Sequence, residues 1–417
     1  MGNLQKWAGP PSQRWIKKQR DLAKNILHRM SNDLGMEPVL PAFAGFLPDQ
    51  FIKLYPNSDT QQLSTWSHFN CTYSCIVWLE PADPMFSKFQ NVYIDEQQKA
   101  FGYKAARFAL DMFNEVVPKS NDPQFLADTA VQVHQTLPLN SIWVLQGWLF
   151  HHTPDFWKAE QIKAFLQGPP IGSILVLDLF AETDPFYNKT ESFYGQPFIW
   201  CMLGNFGGNT GWYGAIPDIR EGFTDAIHYQ NTTIVGTAIV PEGLFQNEIV
   251  YDYTLQLQYD GEIENDESWI TKWVKARYGN ISKAEVSQLS KLFEPLFHSV
   301  WGHSGGKNNW DAPQRVWQKT PVALRPSLKI STDPSDNPKI VIEQWKDWML
   351  QNPDRNLLSN QHFRFDTIDL TRAALTEIFT IAYVDVKANC LEHGELADSC
   401  GYFNSSESIP VRILNSL

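Results

Sequence analysis

The sequence predicts an α/β protein, an incomplete TIM-like (β/α)8 barrel followed by a mostly α-helical domain, and three observations carry that reading. Apolar runs at 39–44, 107–113, 141–150, 173–180, 197–203 and 233–240 alternate with amphipathic stretches, as the twice-buried strands of a parallel sheet do. No Gly-x-Gly-x-x-Gly follows the first run, so a doubly wound nucleotide-binding sheet fits less well. After about Tyr251 the alternation gives way to helical periodicity. A closed barrel has about eight strand–helix units, and six are counted here. The expected division is 1–250 for the barrel, 251–388 for part of a helical domain and 389–417 for an irregular tail.

Each element has its own signal. A helix over 12–34 carries Trp15, Gln19, Leu22, Ala23, Ile26, Leu27 and Met30 along one stripe and ends at Gly35, a residue suited to the left-handed turn after a helix. Further helices are expected over 84–101, 124–135, 154–167 and 217–229, between the strands. The second domain should hold helices over 267–278, 282–301, 337–350 and 366–387, the last capped by Asp366 or Thr367 ahead of Ile368, Leu370 and Ala373. A Pro- and Asn-rich connector over 302–336 divides it.

With 417 residues, 43% of them hydrophobic and 13% aromatic, the chain can bury a large core and a satellite. A net charge of -12 without clustered Lys and Arg argues against a nucleic-acid surface. No apolar run approaches the roughly 18 residues of a membrane-spanning helix. The start, Met1-Gly2-Asn3-Leu4-Gln5-Lys6, lacks the apolar core of a signal peptide. Sequons at Asn70, Asn188, Asn231, Asn280 and Asn404 nevertheless point towards a lumenal compartment. Cys71, Cys75, Cys201, Cys390 and Cys400 are too few and too uneven for a disulfide framework. Cys71 and Cys75 either close a small loop or stay as buried thiols, and Cys201 reads as core. A homo-oligomer is left open.

Two glutamates end strand-like runs: Glu115 after 107–114 and Glu242 after 233–241. Parallel strands deliver their C-terminal residues to one rim. A facing pair of carboxyls there suits glycoside hydrolysis, one donating a proton and the other stabilising or attacking the anomeric carbon. Asn114 precedes Glu115 and could hold a substituent on C2 of a sugar, although an Asn-Glu pair at a strand end also caps a following helix. Glu242 sits in the turn sequence Pro241-Glu242-Gly243. Trp66, His68 and Phe69, then Trp148 and Phe150, then Phe206, Trp212 and Tyr213 cluster near strand ends, either as pocket walls or as core. The glycine-rich run Gly204-Asn205-Phe206-Gly207-Gly208-Asn209-Thr210-Gly211 lacks the Lys-Ser/Thr of a phosphate loop and reads as a rim loop. Gly302-His303-Ser304-Gly305-Gly306 fits the pattern of a serine nucleophile elbow but follows a helix rather than a strand, and is set aside. No metal-ligand spacing appears, His151-His152 lacking partners, and no cofactor is expected.

Long strings then resemble glycoside hydrolase family 89, the α-N-acetylglucosaminidases. They include Pro38-Val39-Leu40-Pro41-Ala42-Phe43-Ala44-Gly45, Leu145-Gln146-Gly147-Trp148-Leu149-Phe150, Val176-Leu177-Asp178-Leu179-Phe180-Ala181-Glu182 and Gly195-Gln196-Pro197-Phe198-Ile199-Trp200-Cys201-Met202-Leu203. Shorter matches are Met1-Gly2-Asn3-Leu4, His68-Phe69-Asn70-Cys71, Asn205-Phe206-Gly207-Gly208-Asn209 and Pro241-Glu242-Gly243 with Gln246-Asn247-Glu248. The resemblance implies retaining hydrolysis of terminal α-linked N-acetylglucosamine from heparan sulfate-like glycans in a lysosomal or secretory lumen. It assigns Glu115 as acid/base and Glu242 as nucleophile, with carboxyls about 5–5.5 Å apart. Asn114, Trp66, Trp148, Leu203 and Phe206 would bind substrate.

The departures are equally specific. Met112 and Gly204 replace a small polar residue and a histidine common in the family. Members also carry a signal peptide, an N-terminal domain and two barrel strands ahead of the matching start, and more helices after about Asn389. The resemblance therefore describes a shortened chain, with a catalytically inactive or carbohydrate-binding relative as the alternative, and a different glycosidase on the same scaffold as a third reading.

Overall fold

The computed structural model describes residues 10–66, 69–207, 209, 211–242, 246–263, 265–302, 338–351, 353 and 355–392. Contacts divide the chain into two compact units, Met1–Cys201 with Asp225–Ala238, and Met202–Thr224 with Ile239–Leu417.

The strands are β1 (Val39–Pro41), β2 (Phe46–Leu47), β3 (Thr60–Gln62), β4 (Val77–Leu79), β5 (Arg107–Ala109), β6 (Ile142–Gln146), β7 (Ile174–Asp178), β8 (Phe198–Met202) and β9 (Ile234–Ile239). Among the described residues, six of them form one sheet in the order β1-β5-β6-β7-β8-β9. The pairs from β1 to β8 are parallel. Spatial order follows chain order without the reversal of a doubly wound sheet, which is barrel topology. Trp143, Ile174, Val176, Phe198, Trp200 and Cys201 are wholly buried in it. Every expected strand is present, though each is shorter than its apolar run. The run 141–150 contains both β6 and a helix. Gly147 separates them, and a Cβ there would stand 2.9 Å from the Leu177 carbonyl oxygen, so the chain turns where only glycine fits. A second, antiparallel sheet of order β2-β4-β3 was not foreseen, its strands being two or three residues long.

In the first stretch of chain lie α1 (Gln13–His28), α2 (Gln50–Leu54), α3 (Cys71–Ser74), α4 (Pro84–Phe101), α5 (Pro123–Thr136), α6 (Trp148–His152), α7 (Ala159–Gln167) and α8 (Ile216–His228). Ser12 caps α1 through a bond from the Trp15 amide, and the helix runs on as a π-turn over Arg29–Asp33 before Gly35 turns left-handed at φ 62°. Its expected apolar stripe is mostly on the surface, with Leu27 buried but Trp15 53% and Leu22 51% exposed. Asp83 and Asp122 accept from the first-turn amides of α4 and α5. Cys71 and Cys75 form a disulfide across α3, and Cys201 is a buried thiol.

The later helices are α9 (Glu248–Asp260), α10 (Asp266–Tyr278), α11 (Lys283–Ser299), α12 (Pro338–Met349), α13 (Arg355–Ser359) and α14 (Gln361–Glu392). Ser282 and Glu285 cap α11 reciprocally. α9 stands outside the expected helices, with Ile249, Val250, Tyr253 and Leu257 buried at helical spacing. It also misjudged the start of α14. The amides of His362 and Phe363 bond the Asn360 side chain, so Asn360 caps the helix. Asp366 lies inside it and accepts from Arg277 at 2.5 and 2.6 Å and from the Tyr278 hydroxyl at 2.6 Å. Most of the expected 302–336 connector, His303 to Gly306 of the rejected elbow, and the tail beyond Glu392 lie outside the described residues. No described helix is long and apolar enough to cross a membrane.

Candidate active site

Glu115 belongs to the first unit. It lies six residues beyond the end of β5 rather than at it, because the strand stops at Ala109 and the chain continues through bends. Two indoles hold its carboxyl. The Trp148 Nε1–H donates to Oε1 at 2.9 Å, and the Trp66 Nε1–H donates to Oε2. Both tryptophans are themselves braced, Trp66 by a parallel stack on Phe69 at 5.8 Å and Trp148 by a parallel stack on His151 at 4.9 Å. Next to Glu115, the Asn114 side-chain oxygen is buried without a hydrogen-bond partner among the described residues. A buried, unpaired acceptor is costly, and such a group is ready for a donor brought by a ligand.

Further acids lie at or beyond the strand ends of the first unit, Asp178 buried and Asp111 and Asp184 half-buried. Asp111 accepts from the Gln146 amide at 3.0 Å, and burial pushes its carboxyl up to about 6. Asp178, at the end of β7, accepts from the Phe186 and Tyr187 amides, yet burial pushes it up to about 7. Burial also tends to raise Asp184, but bonds from His151 and Lys189 hold it at about 2.

Glu242 belongs to the second unit and lies three residues past β9 on exposed backbone. Its Oε2 accepts from the Gly207 amide at 2.6 Å, and a Cβ on residue 207 would stand 3.2 Å from that oxygen. The rim loop that presents Gly207 is tied down by amide side chains. Asn205 donates to the Gly211 carbonyl at 2.8 Å and to Gln246 at 3.0 Å, while Asn247 accepts from the Tyr213 amide at 3.0 Å and from Trp301 at 3.1 Å. Leu203 is buried, Phe206 is half-buried, and Gly204 takes a left-handed φ of 76°.

The structure thus joins Trp66, Trp148 and Glu115 directly and sets Glu242 beside the loop that carries Leu203 and Phe206. It assigns other aromatics to packing: Phe150 and Tyr213 are core, and Trp212 donates to Asp369 at 2.7 Å. His68 lies outside the described residues. The sequence reading passed over His151 and Asp184, because it weighed His151 only as a metal ligand. The signal was the three-residue spacing of Trp148 and His151, one helical turn. Among the described residues no group of three or more His, Cys, Asp or Glu is arranged to hold a metal ion.

A parallel sheet in chain order with carboxylates just beyond its strand ends defines a barrel of the TIM class. Residues 1–261 match the profile described as the Alpha-N-acetylglucosaminidase (NAGLU) tim-barrel domain, and residues 269–402 match its C-terminal domain. The human alpha-N-acetylglucosaminidase is 38% identical over 392 residues, covering 93% of this chain. The chain belongs to the alpha-N-acetylglucosaminidase family, and spans about half the length, 51%, of that human relative. A family 89 glycoside hydrolase from Clostridium perfringens, solved with 2-acetamido-1,2-dideoxynojirmycin, superimposes with a TM-score of 0.73 at 20% identity, over 93% of this chain and 42% of that one. A variant of the Clostridium perfringens protein with two glutamates replaced by glutamine, solved with its substrate GlcNAc-alpha-1,4-galactose, gives a TM-score of 0.73 at 19% identity with the same coverage.

Proposed function

We propose that this chain carries the catalytic glutamates of an exo-glycosidase that releases terminal α-linked N-acetylglucosamine with retention of configuration. The observation that carries the reading is the Glu115 carboxyl held by two indole N–H donors beside an Asn114 oxygen that has no partner among the described residues. Such a carboxyl is fixed in orientation, as a proton donor to a leaving group must be.

Glu115, protonated, gives its proton to the glycosidic oxygen as the bond to C1 breaks, while a Glu242 oxygen forms an ester with C1. Glu115 then takes a proton from a water that attacks C1 and frees Glu242. Asn114 is assigned to the acetamido substituent, and Trp66, Trp148, Leu203 and Phe206 are assigned to substrate binding, as the family resemblance implies. Family membership supports this assignment, as does the substrate bound by the Clostridium perfringens double glutamine variant, GlcNAc-alpha-1,4-galactose. Heparan sulfate-like chains are the proposed natural substrate. A lysosomal or secretory lumen is the proposed compartment, supported by the Cys71–Cys75 disulfide and the exposed sequon residues Asn70, Asn188, Asn231 and Asn280.

The test is release of nitrophenol from 4-nitrophenyl α-N-acetylglucosaminide at acidic pH, by the parent and by Glu115→Gln and Glu242→Gln. Turnover abolished in Glu242→Gln and lowered in Glu115→Gln, less on this activated substrate than on a disaccharide, supports the pair. A soluble parent that binds terminal N-acetylglucosamine without hydrolysing it would favour a carbohydrate-binding relative, and brisk cleavage of β-glycosides would point to another glycosidase.

A further inference from the structure

Trp148 and His151 lie three residues apart on α6, on one face of its single turn. Their rings stack with centroids 4.9 Å apart and 9° between planes. The His151 side chain is 11% exposed, and its Nε2 lies 2.7 Å from Asp184 Oδ2. Lys189 holds the other Asp184 oxygen and stands 4.5 Å over the Phe186 ring. Phe180 and Phe186 flank the imidazole at 6.0 and 5.8 Å. On the other side of this chain of contacts, the Trp148 Nε1–H reaches Glu115.

We propose that His151, clamped by Asp184, is a positioning residue: it sets the plane of the Trp148 indole and through it the orientation of the Glu115 carboxyl. With its Nε2 2.7 Å from Asp184 Oδ2 and its ring flanked by Phe180 and Phe186, the imidazole cannot swing away without breaking those contacts. Its flat face then fixes the indole, which must stay parallel to keep the stack. The indole in turn aims its single N–H, and a donor aimed by packing holds a carboxylate better than one free to swing. Asp184, Lys189 and Asp178 are the charged groups that bear on the imidazole from the loop after β7 and from that strand's end. His152 shows the contrast. It is exposed, bonds Thr153, and meets the same indole at 6.4 Å and 43° without stacking. The proposal deepens the reading of Glu115 as acid/base and rests on it.

The test uses the whole chain as His151→Ala, His151→Gln, Asp184→Asn and, as a control, His152→Ala. Expected for His151→Ala is a fall in kcat of about tenfold with KM nearly unchanged, because misplacement of a reacting group acts on the chemical step. His151→Gln, with a flat amide that still donates to Asp184, should recover most of the rate, Asp184→Asn should lie between, and His152→Ala should match the parent. A second readout needs no turnover. The indole N–H resonance of Trp148 in tryptophan-labelled protein, identified by its loss in Trp148→Phe, should shift in His151→Ala and return in His151→Gln. An unmoved resonance, or equal losses of rate in the Ala and Gln variants, overturns the proposal. A parent without turnover whose Trp148 resonance still moves would instead overturn the hydrolase reading and leave the positioning role standing.

Discussion

Glu115 and Glu242 are held by opposite means. Glu115 is half-buried and takes both its bonds from side chains, two indoles each braced by a stacked ring. Glu242 is exposed and takes its bond from the backbone of Gly207. The first arrangement depends on packing that any change in the supporting rings can loosen. The second depends on loop dihedrals and on the missing side chain at residue 207. The buried acids differ in the same way. Among the described residues Asp111 and Asp178 of the first unit bond backbone amides alone, while Asp366 of the second unit is locked to Arg277.

The largest effects should come from the carboxyls themselves. Glu115→Gln is expected to lower turnover of a disaccharide by about 10²–10⁴-fold. It should spare a nitrophenyl glycoside more, since that leaving group needs little help from an acid. Glu242→Gln should abolish both reactions alike. Steady-state rates on the two substrates decide this, and a variant pattern the other way round would exchange the two roles.

Next in size is a stability effect in the second unit. Arg277 is bonded to Asp366 and Glu248 and lies 5.2 Å from the Trp273 ring centre. Arg277→Met leaves Asp366 buried without its cation and should cost about 3–5 kcal/mol in denaturant unfolding. A loss below 1 kcal/mol would mean that water reaches Asp366.

A direct comparison of the two supports follows. Trp148→Phe keeps a ring in the stack but removes one of the two donors that orient the Glu115 carboxyl, so kcat should fall about 10–100-fold. Gly207→Ala crowds Glu242 by a contact that a few tenths of an ångström of loop movement can relieve, so the fall should be smaller, about threefold to tenfold. If Gly207→Ala proves the more damaging, the backbone support is the stiffer of the two.

Much of this was legible in the sequence where one residue type answers to one cause. The apolar runs gave the strands because a strand covered on both faces has little polar surface to show. The helix expected over 84–101 is α4 to the residue, with Asp83 as its cap and Pro84 at its first turn. Glu115 and Glu242 stood out as carboxylates beside the ends of such runs. What escaped was whatever depends on distant partners. Asp366 looked like a helix cap because its bonds to Arg277 and Tyr278 span 89 and 88 residues. The stripe on α1 looked like a buried face because periodicity reports an apolar side, not what covers it. His151 was invisible as a support because its role arises from Asp184, thirty-three residues on, and from an indole a turn behind it on the same helix.

The smallest expected effect separates the buried acids of the first unit from ordinary surface carboxylates. Burial raises Asp111 from 3.8 to about 6 and Asp178 from 3.8 to about 7, so the folded state binds protons more tightly than the unfolded chain. Their contribution is fully present below the unfolded value and is lost as pH rises through the folded ones. Asp184 has the opposite sign: held at about 2, it stabilises the fold above its ordinary 3.8 and ceases to do so as pH falls towards 2. Together these set maximum stability on the acidic side, and the thermal midpoint should be a few degrees lower at neutral pH than at about pH 4.5. Asp178→Asn keeps an acceptor for the Phe186 and Tyr187 amides while removing the ionisation, so it should flatten the decline between about pH 5 and 7. A parent whose midpoint climbs across that interval, or an Asn variant with the same slope, would show that water reaches the end of β7 and that Asp178 is paired as well as Asp366.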